Sequence, residues 1–324
     1  QCTNCFKPAF NYRPKQSAQY ALAISNFEQS NDSPQRYNFG FIASTDDHTA
    51  RPGTGYKQYE RRKMTFATGV KSKIWEYQYE AEDPNFPEIP KITPGESQPD
   101  SERVSSFVYP GGILAVHAEG RGKDQIWTAL KNKNVYGTSG PRILLWFDLI
   151  NSPEGQVPMG SEITMSQNPR FIVRAAGSFK QNEGCSEESI DSLSSERLEY
   201  LCAGECYNPS NERETIEKIE VIKITPQIYA GESISPLIQD PWKTIPCQGT
   251  GECIVEFEDS NFSRDSVYYV RAIQNPTPAI NGSPLFKRES FELCKGSFRT
   301  DLEDDCLSMA HERAWSSPIY VDKP

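Results

Sequence analysis

Histidine is scarce in this chain, which has only three such residues among 324. No Gly-x-Ser-x-Gly motif is present, and so few histidines give a serine catalytic triad little support. The segment Gly53-Thr-Gly55 lacks the Gly-Lys-Ser/Thr ending of a phosphate-binding loop and does not open a helix. These absences argue against a serine hydrolase and against a P-loop nucleotide-binding protein.

Long apolar runs and an excess of positive charge are also missing. No stretch approaches the roughly 18 to 20 consecutive apolar residues that a membrane helix needs. The net charge is −10, from 34 basic and 44 acidic side chains. A negative field of this kind repels the phosphates of nucleic acids. The sequence therefore predicts a globular protein with no membrane span and no nucleic-acid partner.

Cysteine, in contrast, is plentiful, with nine residues that lie mostly in the second half of the chain. Three pairs are close in sequence, namely Cys202 and Cys206, Cys247 and Cys253, and Cys294 and Cys306. Local pairs indicate disulfides across loops, and so a periplasmic or extracellular location. The alternative is a zinc ribbon that includes Cys2 and Cys5, although no second Cys-x-x-Cys is present.

Residues 1–150 alternate between short strand-like and helical runs. The candidates for strands are residues 38–44, 112–117, a run that begins at Val135-Tyr136, and 143–150, and the candidate for a helix is 123–132. A strand, a helix and a strand at this spacing predict a βαβ unit, the building block of parallel sheets and barrels. Residues 57–110 are rich in Pro, Tyr, Glu and Lys, and are predicted to form an irregular insertion.

Residues 151–324 show separated strand-like runs and no long helix. These runs are residues 171–176, 216–225, 253–257, 266–272 and 314–321. The third and fourth runs alternate between apolar and polar residues, as half-buried antiparallel strands do. This half of the chain is therefore predicted to be a β-sandwich.

The sharpest chemical signal is Thr45-Asp46-Asp47-His48, which directly follows the apolar run 38–44. Reactive groups gather at the carboxyl ends of strands in barrels and open α/β sheets. Asp46 and His48 are two residues apart, so both can face a zinc, manganese or iron ion from an extended chain. Asp47 would not bind the metal itself but would fix the orientation of a metal-binding side chain. The alternative is a polar turn in which His48 is solvated.

Other candidate residues lie beyond this motif. His117 and Glu119 share one face of a strand, from which they could reach the same site as His48. His117 would be a proton donor or a further ligand and Glu119 a supporting residue, or His117 is simply a polar residue at a strand end. Arg51 and Arg142 adjoin turns, where a guanidinium could clamp a phosphate or carboxylate. Either arginine could equally be a structural salt-bridge partner.

The sequence Phe-Gly-Phe-Ile-Ala-Ser-Thr-Asp-Asp-His-Thr-Ala-Arg-Pro-Gly-Thr-Gly-Tyr at 39–56 resembles a bacterial family of uncharacterised proteins. This family is related to the PHP (polymerase and histidinol phosphatase) superfamily. The stretch from Ala-Val-His-Ala-Glu at 115 to Val-Tyr-Gly-Thr-Ser-Gly-Pro-Arg at 135–142 is similar to the same family. So is Trp-Ser-Ser-Pro-Ile-Tyr at 315–320. The resemblance spans nearly the whole chain.

The resemblance implies an α/β plus β fold. Residues 1–150 would be the closing part of a distorted PHP-like β/α barrel with two or three divalent metal ions, and residues 151–324 a disulfide-containing β-sandwich. The superfamily's late Asp-x-His motif maps onto Asp46 and His48. Its early His-x-His motif and its middle Glu and His ligands have no counterpart here. This departure implies that an N-terminal segment of the same precursor, or a companion chain, supplies the remaining ligands.

The activity that this resemblance implies is metal-dependent hydrolysis, in which the chain forms part of a phosphoesterase-like enzyme. Asp46 and His48 would hold the metal, and Arg51 would position the anionic group of the substrate. The alternative is a non-catalytic protein of the cell envelope, with a structural or a ligand- or partner-binding role, that retains the fold without turnover.

Overall fold

The computed structural model describes residues 17–28, 34–44, 112–202, 206–280 and 307–324. Of these residues, 46% are in strands and 16% in helices. The helices are α1 (Ala18–Ala23), α2 (Lys123–Lys131), α3 (Glu187–Ser192) and α4 (Ser195–Cys202), with a 3-10 turn at Ser235–Leu237. The fold of the described residues is therefore dominated by β-sheet.

The strands fall into short connecting pairs and two larger sheets. In chain order they are β1 (Ser25–Asn26), β2 (Gln35–Arg36), β3 (Ile113–Val116), β4 (Val135–Thr138), β5 (Leu144–Ser152), β6 (Gly155–Pro158), β7 (Glu162–Thr164), β8 (Arg170–Ala176), β9 (Phe179–Gln181), β10 (Pro209–Arg213), β11 (Ile216–Ile224), β12 (Ile238–Pro246), β13 (Glu252–Glu258), β14 (Ser266–Ile280), β15 (Leu307–Ser316) and β16 (Ile319–Asp322).

The larger sheet has eight strands, and the smaller one has four. The larger sheet has the hydrogen-bonded order β12-β11-β14-β15-β4-β3, and β16 pairs with both β14 and β7. Its pairs are antiparallel except for the parallel pair of β16 and β7. The smaller sheet has the order β13-β8-β5-β6 and is antiparallel throughout.

The main core lies between these two sheets. Strand β5 alternates as a strand with one buried face should, because Leu145, Phe147 and Leu149 are fully buried while the residues between them point to the other face. Phe147 stacks on Phe171 of β8, with ring centroids 5.3 Å apart. Phe171 contacts Tyr268 of β14 in the larger sheet at 4.8 Å. Each such buried side chain contributes about 1.5–3 kcal/mol of hydrophobic free energy.

A second, smaller core covers the other face of the larger sheet. Helix α1 places Leu22 and Ala23 against Ile222 and Ile224 of β11. The helix begins at Ser17, whose hydroxyl accepts a hydrogen bond from the Tyr20 N–H. The larger sheet is thus packed on both faces in this region.

The predicted β/α barrel is wrong. The described residues contain no closed barrel, and the predicted βαβ unit is absent from them. Strand β4 begins at Val135 beside Val116, the residue at which β3 ends, so the chain through α2 returns to the end that it left. The two strands are therefore antiparallel neighbours. The next predicted strand along the chain, residues 143–150, lies in the smaller sheet as part of β5.

Two disulfides lie in the described residues, so this part of the prediction is confirmed. The Cys247–Cys253 bond joins the end of β12 to β13, as the spacing predicts. The predicted Cys202–Cys206 bond is wrong, because Cys206 bonds to Cys185 and the bridge encloses α3 and α4. Cys294 and Cys306 lie outside the described residues. No helix in the described ranges has the length and apolar character to cross a membrane.

Candidate functional site

The segment that leads to the predicted metal motif, residues 37–44, is held against the end of the larger sheet. The Phe39 N–H donates to the Tyr320 hydroxyl oxygen at 2.8 Å, and the Tyr320 hydroxyl donates to the Phe39 carbonyl at 2.7 Å. The Phe41 N–H donates to the Ser317 hydroxyl oxygen at 2.9 Å. These bonds fix the backbone of the segment beside β16.

The same segment then passes close to β4 and β3. The Gly112 N–H donates to the Ser44 carbonyl at 3.1 Å, just before β3 begins. A Cβ atom on Gly137 would lie 2.8 Å from the Ala43 Cβ, and a Cβ atom on Gly112 would lie 2.7 Å from it. Only glycine allows this close approach without a shift of one backbone. Both glycines therefore allow the 37–44 segment to lie this close to the backbone of Gly112 and Gly137.

The predicted metal-binding residues Asp46 and His48 lie outside the described residues, as do Asp47 and Arg51. Their arrangement stays a prediction. The described structure ends on this side at Ser44.

His117 and Glu119 follow β3 at its other end and line an open pocket of about 340 Å³. The rest of the lining comes from the residue between them, from β5 and from the end of β6. The residues that line the pocket are His117, Ala118, Glu119, Trp146, Phe147, Asp148, Pro158 and Met159. Strand β3, which precedes His117, belongs to the larger sheet, whereas β5 belongs to the smaller one. The pocket therefore lies at the edge of the packing between the two sheets.

The His117 ring is held in one orientation at the edge of this pocket. Its Nε2 atom lies 2.8 Å from the Leu145 carbonyl oxygen. A carbonyl oxygen only accepts, so Nε2 carries the hydrogen, and Nδ1 is an acceptor in the neutral ring. The ring lies 5.3 Å from the Tyr136 ring and 5.7 Å from the Trp146 ring, centroid to centroid. The Nδ1 atom forms no hydrogen bond with a described residue.

Tyr136 packs against the His117 ring beside the pocket. Burial raises the pKa of Tyr136 to about 12, so its hydroxyl stays protonated at neutral pH. That hydroxyl donates to the Ile143 carbonyl at 3.0 Å. Tyr136 is therefore a fixed hydrogen-bond donor to the backbone and not an acid available to a substrate.

Asp148 is the residue that sequence reasoning missed. It is only 7% exposed, and its Oδ2 atom accepts hydrogen bonds from Gln156 Nε2 at 2.9 Å and from Arg174 Nη2 at 3.3 Å. The other oxygen, Oδ1, has no hydrogen bond to a described residue. The signal in the sequence was a single carboxylate inside an apolar run, where an ionised group is costly unless something pairs with it.

Trp146 lies beside Asp148 on the outward face of β5. The Arg174 guanidinium lies over its ring at 5.7 Å from the centroid, within the range of a cation–π contact. Arg174 thus touches both Trp146 and Asp148. The side of the pocket that β5 provides combines an aromatic ring with a carboxylate.

These residues do not form a metal centre by themselves. Within the described ranges, no group of three or more His, Cys, Asp and Glu residues could hold a metal ion. His117, Glu119 and Asp148 share a pocket without converging on one point. The described residues alone therefore do not fit a divalent metal site, and any such site needs ligands from elsewhere in the protein.

The two candidate regions lie at opposite ends of β3. Ser44 bonds to Gly112 just before the strand, whereas His117 comes directly after it. Five residues of extended chain span roughly 16 Å. If His117 and His48 share one site, the chain between Ser44 and His48 has to cover this distance. Their proximity stays a prediction.

The sequence leaves two roles open for Arg142, an anion clamp or a structural residue. Its guanidinium lies 3.8 Å from the centroid of the Tyr207 ring. This stacked cation–π contact ties the start of β5 to the segment after the Cys185–Cys206 disulfide. The contact is typical of a structural arginine.

Residues 26–183 match the model of a family described as a protein of unknown function (DUF3604). The resemblance to an uncharacterised family therefore has support over this part of the chain, whereas the match does not show a relationship to the PHP superfamily. Searches among curated proteins and among solved structures found no match. The matched range includes both the Asp-x-His motif and the pocket that His117 and Asp148 line.

Proposed function

We propose that this chain contributes to a metal-dependent hydrolase of phosphoesters or other esters, in which Asp46 and His48 bind the metal ion. We also propose a PHP-related ancestry and a periplasmic or extracellular location. The two disulfides, together with the lack of a membrane-spanning helix among the described residues, are compatible with that location.

The observation that carries the proposal is the fixed 37–44 segment. Its last four residues alternate in exposure, since Ile42 is 68% exposed and Ser44 is exposed, whereas Phe41 and Ala43 are half-buried. In an extended chain, alternate residues share a side. We propose that the chain continues extended to His48, in which case Asp46 and His48 would share the side of Ile42 and Ser44. A ligand pair that follows a fixed backbone loses less conformational entropy on binding.

The remaining roles follow from the side chains. A divalent metal lowers the pKa of a bound water to about 7 and neutralises charge on the leaving oxygen. Arg51 holds the anionic group of the substrate through its planar fork. Asp47 orients a ligand, and His117 and Glu119 assist from the pocket side as proton donor and supporting residue. The other metal ligands come from an N-terminal segment of the same precursor or from a companion chain.

The test is the metal content of the protein purified from its natural source with any co-purifying segment. Asp46→Ala and His48→Ala are each expected to lower bound metal and p-nitrophenyl phosphate hydrolysis together. Loss of even an indirect partner of a metal ligand costs about 10- to 100-fold in affinity, so a direct ligand should cost at least about tenfold.

His311→Ala is the matched control. It removes an imidazole from β15 whose Nδ1 lies 3.1 Å from the Gln274 carbonyl. This variant is expected to keep both metal and activity. Unchanged metal stoichiometry in Asp46→Ala and His48→Ala would remove the hydrolase proposal.

A second candidate function is ligand binding without turnover. The observation that favours it is the pocket at His117, which Asp148 and Trp146 line side by side. A protein that binds a ligand there but hydrolyses no ester, with or without metal, would support this candidate over the first.

A further inference from the structure

Helix α2 carries exposed apolar side chains between basic ones. Trp127 is 61% exposed, and Ile126 beside it is also exposed. Lys123 and Lys131 are exposed four residues before and four residues after Trp127, so one row along the helix reads lysine, tryptophan, lysine. We call these four residues the α2 surface. It is basic in a chain whose net charge is −10.

The segment that the Cys185–Cys206 disulfide closes has the opposite charge. Its helices α3 and α4 expose Ile190 and Tyr200 by more than half. Glu187 lies three residues before Ile190, and Glu196 lies four residues before Tyr200, so a carboxylate stands beside each exposed apolar side chain. Together the two helices contain five carboxylates and one arginine. We call their exposed side chains the α3–α4 surface.

The two surfaces do not cover each other within one chain, because Trp127 and Ile190 are each more than half exposed. Their charges are also available to a second molecule. Neither Lys123 nor Lys131 forms an ion pair with a described residue, and the same is true of Glu187. Tryptophan and tyrosine are enriched where protein surfaces bind each other. Both surfaces thus combine interface-type aromatic side chains with available charge.

The opposite charges make each surface complementary to the other on a second copy of the chain. Contact would bring the lysines of α2 against the carboxylates of α3 and α4, while Trp127 packs on the apolar side chains between them. Two α2 surfaces repel each other, and so do two α3–α4 surfaces. Pairing of like with like is therefore disfavoured, and the contact is heterologous.

Both surfaces are held in place before any contact forms. Helix α2 is anchored by the buried Ala129, and the Cys185–Cys206 bond joins the two ends of the α3–α4 segment. Surfaces that are already ordered lose less conformational entropy on association. The contact area of one helix on two short ones is small, so the association is weak and depends on concentration.

We propose that this chain associates with itself head to tail, with the α2 surface of one copy on the α3–α4 surface of the next. The two surfaces lie outside the predicted Asp46–His48 motif, and the association does not depend on the hydrolase proposal.

The test is sedimentation equilibrium of the full chain in non-reducing buffer, in a concentration series up to about 1 mM, which covers weak association. The weight-average mass is expected to rise above that of one chain as the concentration increases. A protein that stays monomeric throughout the series would overturn the proposal, and the two surfaces would then have another occupant.

Charge-reversed variants locate the contact. Lys123→Glu with Lys131→Glu makes the α2 surface acidic, and Glu187→Lys with Glu196→Lys makes the α3–α4 surface basic. Each double variant alone is expected to self-associate about tenfold more weakly or less, because attractive pairs become repulsive.

An equimolar mixture of the two variants is expected to restore association. The basic α2 surface of one variant then meets the acidic α3–α4 surface of the other, and the two reversed surfaces also attract each other. A mixture that stays monomeric would overturn the proposal, and so would self-association of either variant at the strength of the parent.

Arg170→Glu with Arg313→Glu is the matched control for net charge. The two arginines are exposed on β8 and β15, outside both surfaces, and their reversal changes the net charge as much as the lysine variant does. This control is expected to associate as the parent does. Equal weakening in the control and the lysine variant would indicate a general effect of charge and overturn the proposed contact.

Trp127→Ala tests the apolar part of the contact and is expected to weaken association by about tenfold or more, as loss of a central interface tryptophan does. Its control is Ile254→Ala, which removes a similarly exposed apolar side chain from β13 and should have no effect. Equal effects of the two substitutions would contradict the proposal. All of these variants keep Asp46 and His48, so their metal content and ester hydrolysis report separately on the hydrolase proposal.

Discussion

Two buried aspartates, Asp148 in β5 and Asp259 directly after β13, differ in how many hydrogen bonds their carboxylates accept. Asp259 is 1% exposed, and its Oδ2 atom accepts hydrogen bonds from Lys223 Nζ and from the Tyr268 hydroxyl. Its Oδ1 atom accepts from the Asn261 N–H at 3.1 Å. Asp148 is 7% exposed, but among the described residues only its Oδ2 atom has hydrogen-bond partners.

The difference separates a structural charge from a chemically available one. The Lys223–Asp259 pair is enclosed by the rings of Trp242 and Tyr268, at 5.3 and 5.8 Å from Lys223 Nζ. No bonding capacity is left there for a ligand. Asp148 lines an open pocket, and both of its hydrogen bonds to described residues use Oδ2. Burial alone therefore does not distinguish the two carboxylates, whereas the number of their hydrogen bonds and their access to a pocket do.

The largest effect is expected from Asp259→Ala. The substitution leaves Lys223 as a buried cation without its partner, so we expect a loss of about 4 kcal/mol of unfolding free energy. Denaturant unfolding measures the loss. A loss below about 1 kcal/mol would mean that the pair is not enclosed as described, and the comparison with Asp148 would fail.

An intermediate effect is expected at high pH from Tyr136, which backs the pocket. Its pKa is about 12 in the folded protein and about 10 when unfolded. Its protonated form stabilises the fold fully below pH 10, and this stabilisation is lost as the pH rises from about 10 to about 12. The slope is roughly 1.4 kcal/mol per pH unit.

The measurement is the unfolding free energy of the parent and of Tyr136→Phe across that pH range. The difference between their slopes isolates Tyr136. Tyr268 provides an internal contrast, because burial and its hydrogen bond to Asp259 raise its pKa further. Its ionisation should therefore follow that of Tyr136 in an absorbance titration, and the reverse order would contradict the comparison.

The smallest effect on stability is expected from Asp148→Asn. The substitution keeps the shape of the side chain, and one of its two partners, Arg174, is 46% exposed. An ion pair with an exposed partner contributes up to about 1 kcal/mol, so we expect a loss no larger than that. A loss as large as that of Asp259→Ala would make Asp148 a structural residue and weaken the case for the pocket.

The sequence predicted local features of this protein better than it predicted their arrangement. The alternation of residues 253–257 predicted a strand, and β13 covers that run. The position of α2 and the Cys247–Cys253 bond were also correct. Each of these depends on spacing within a short stretch, which the chain itself displays.

Strand direction and long-range pairing are not recorded in such spacing. The run of strand, helix and strand fits a parallel crossover and an antiparallel return equally well, and only the Val116–Val135 register distinguishes them. Cys206 has a near neighbour in sequence at Cys202 but bonds to Cys185, because the fold of α3 and α4 decides which sulfurs meet. Asp148 was hidden inside an apolar run, and its partners Gln156 and Arg174 become visible only when β5, β6 and β8 are placed side by side.

The Cys185–Cys206 bridge has a consequence for how the protein tolerates damage. None of residues 186–201, which form α3 and α4, is buried. The bridge joins the two ends of the segment that contains α3 and α4. A single protease cut within either helix would therefore leave both fragments covalently joined and the cores intact. The chain can thus be cut or lengthened within this segment while the rest of the molecule stays folded, as long as the surroundings remain oxidising.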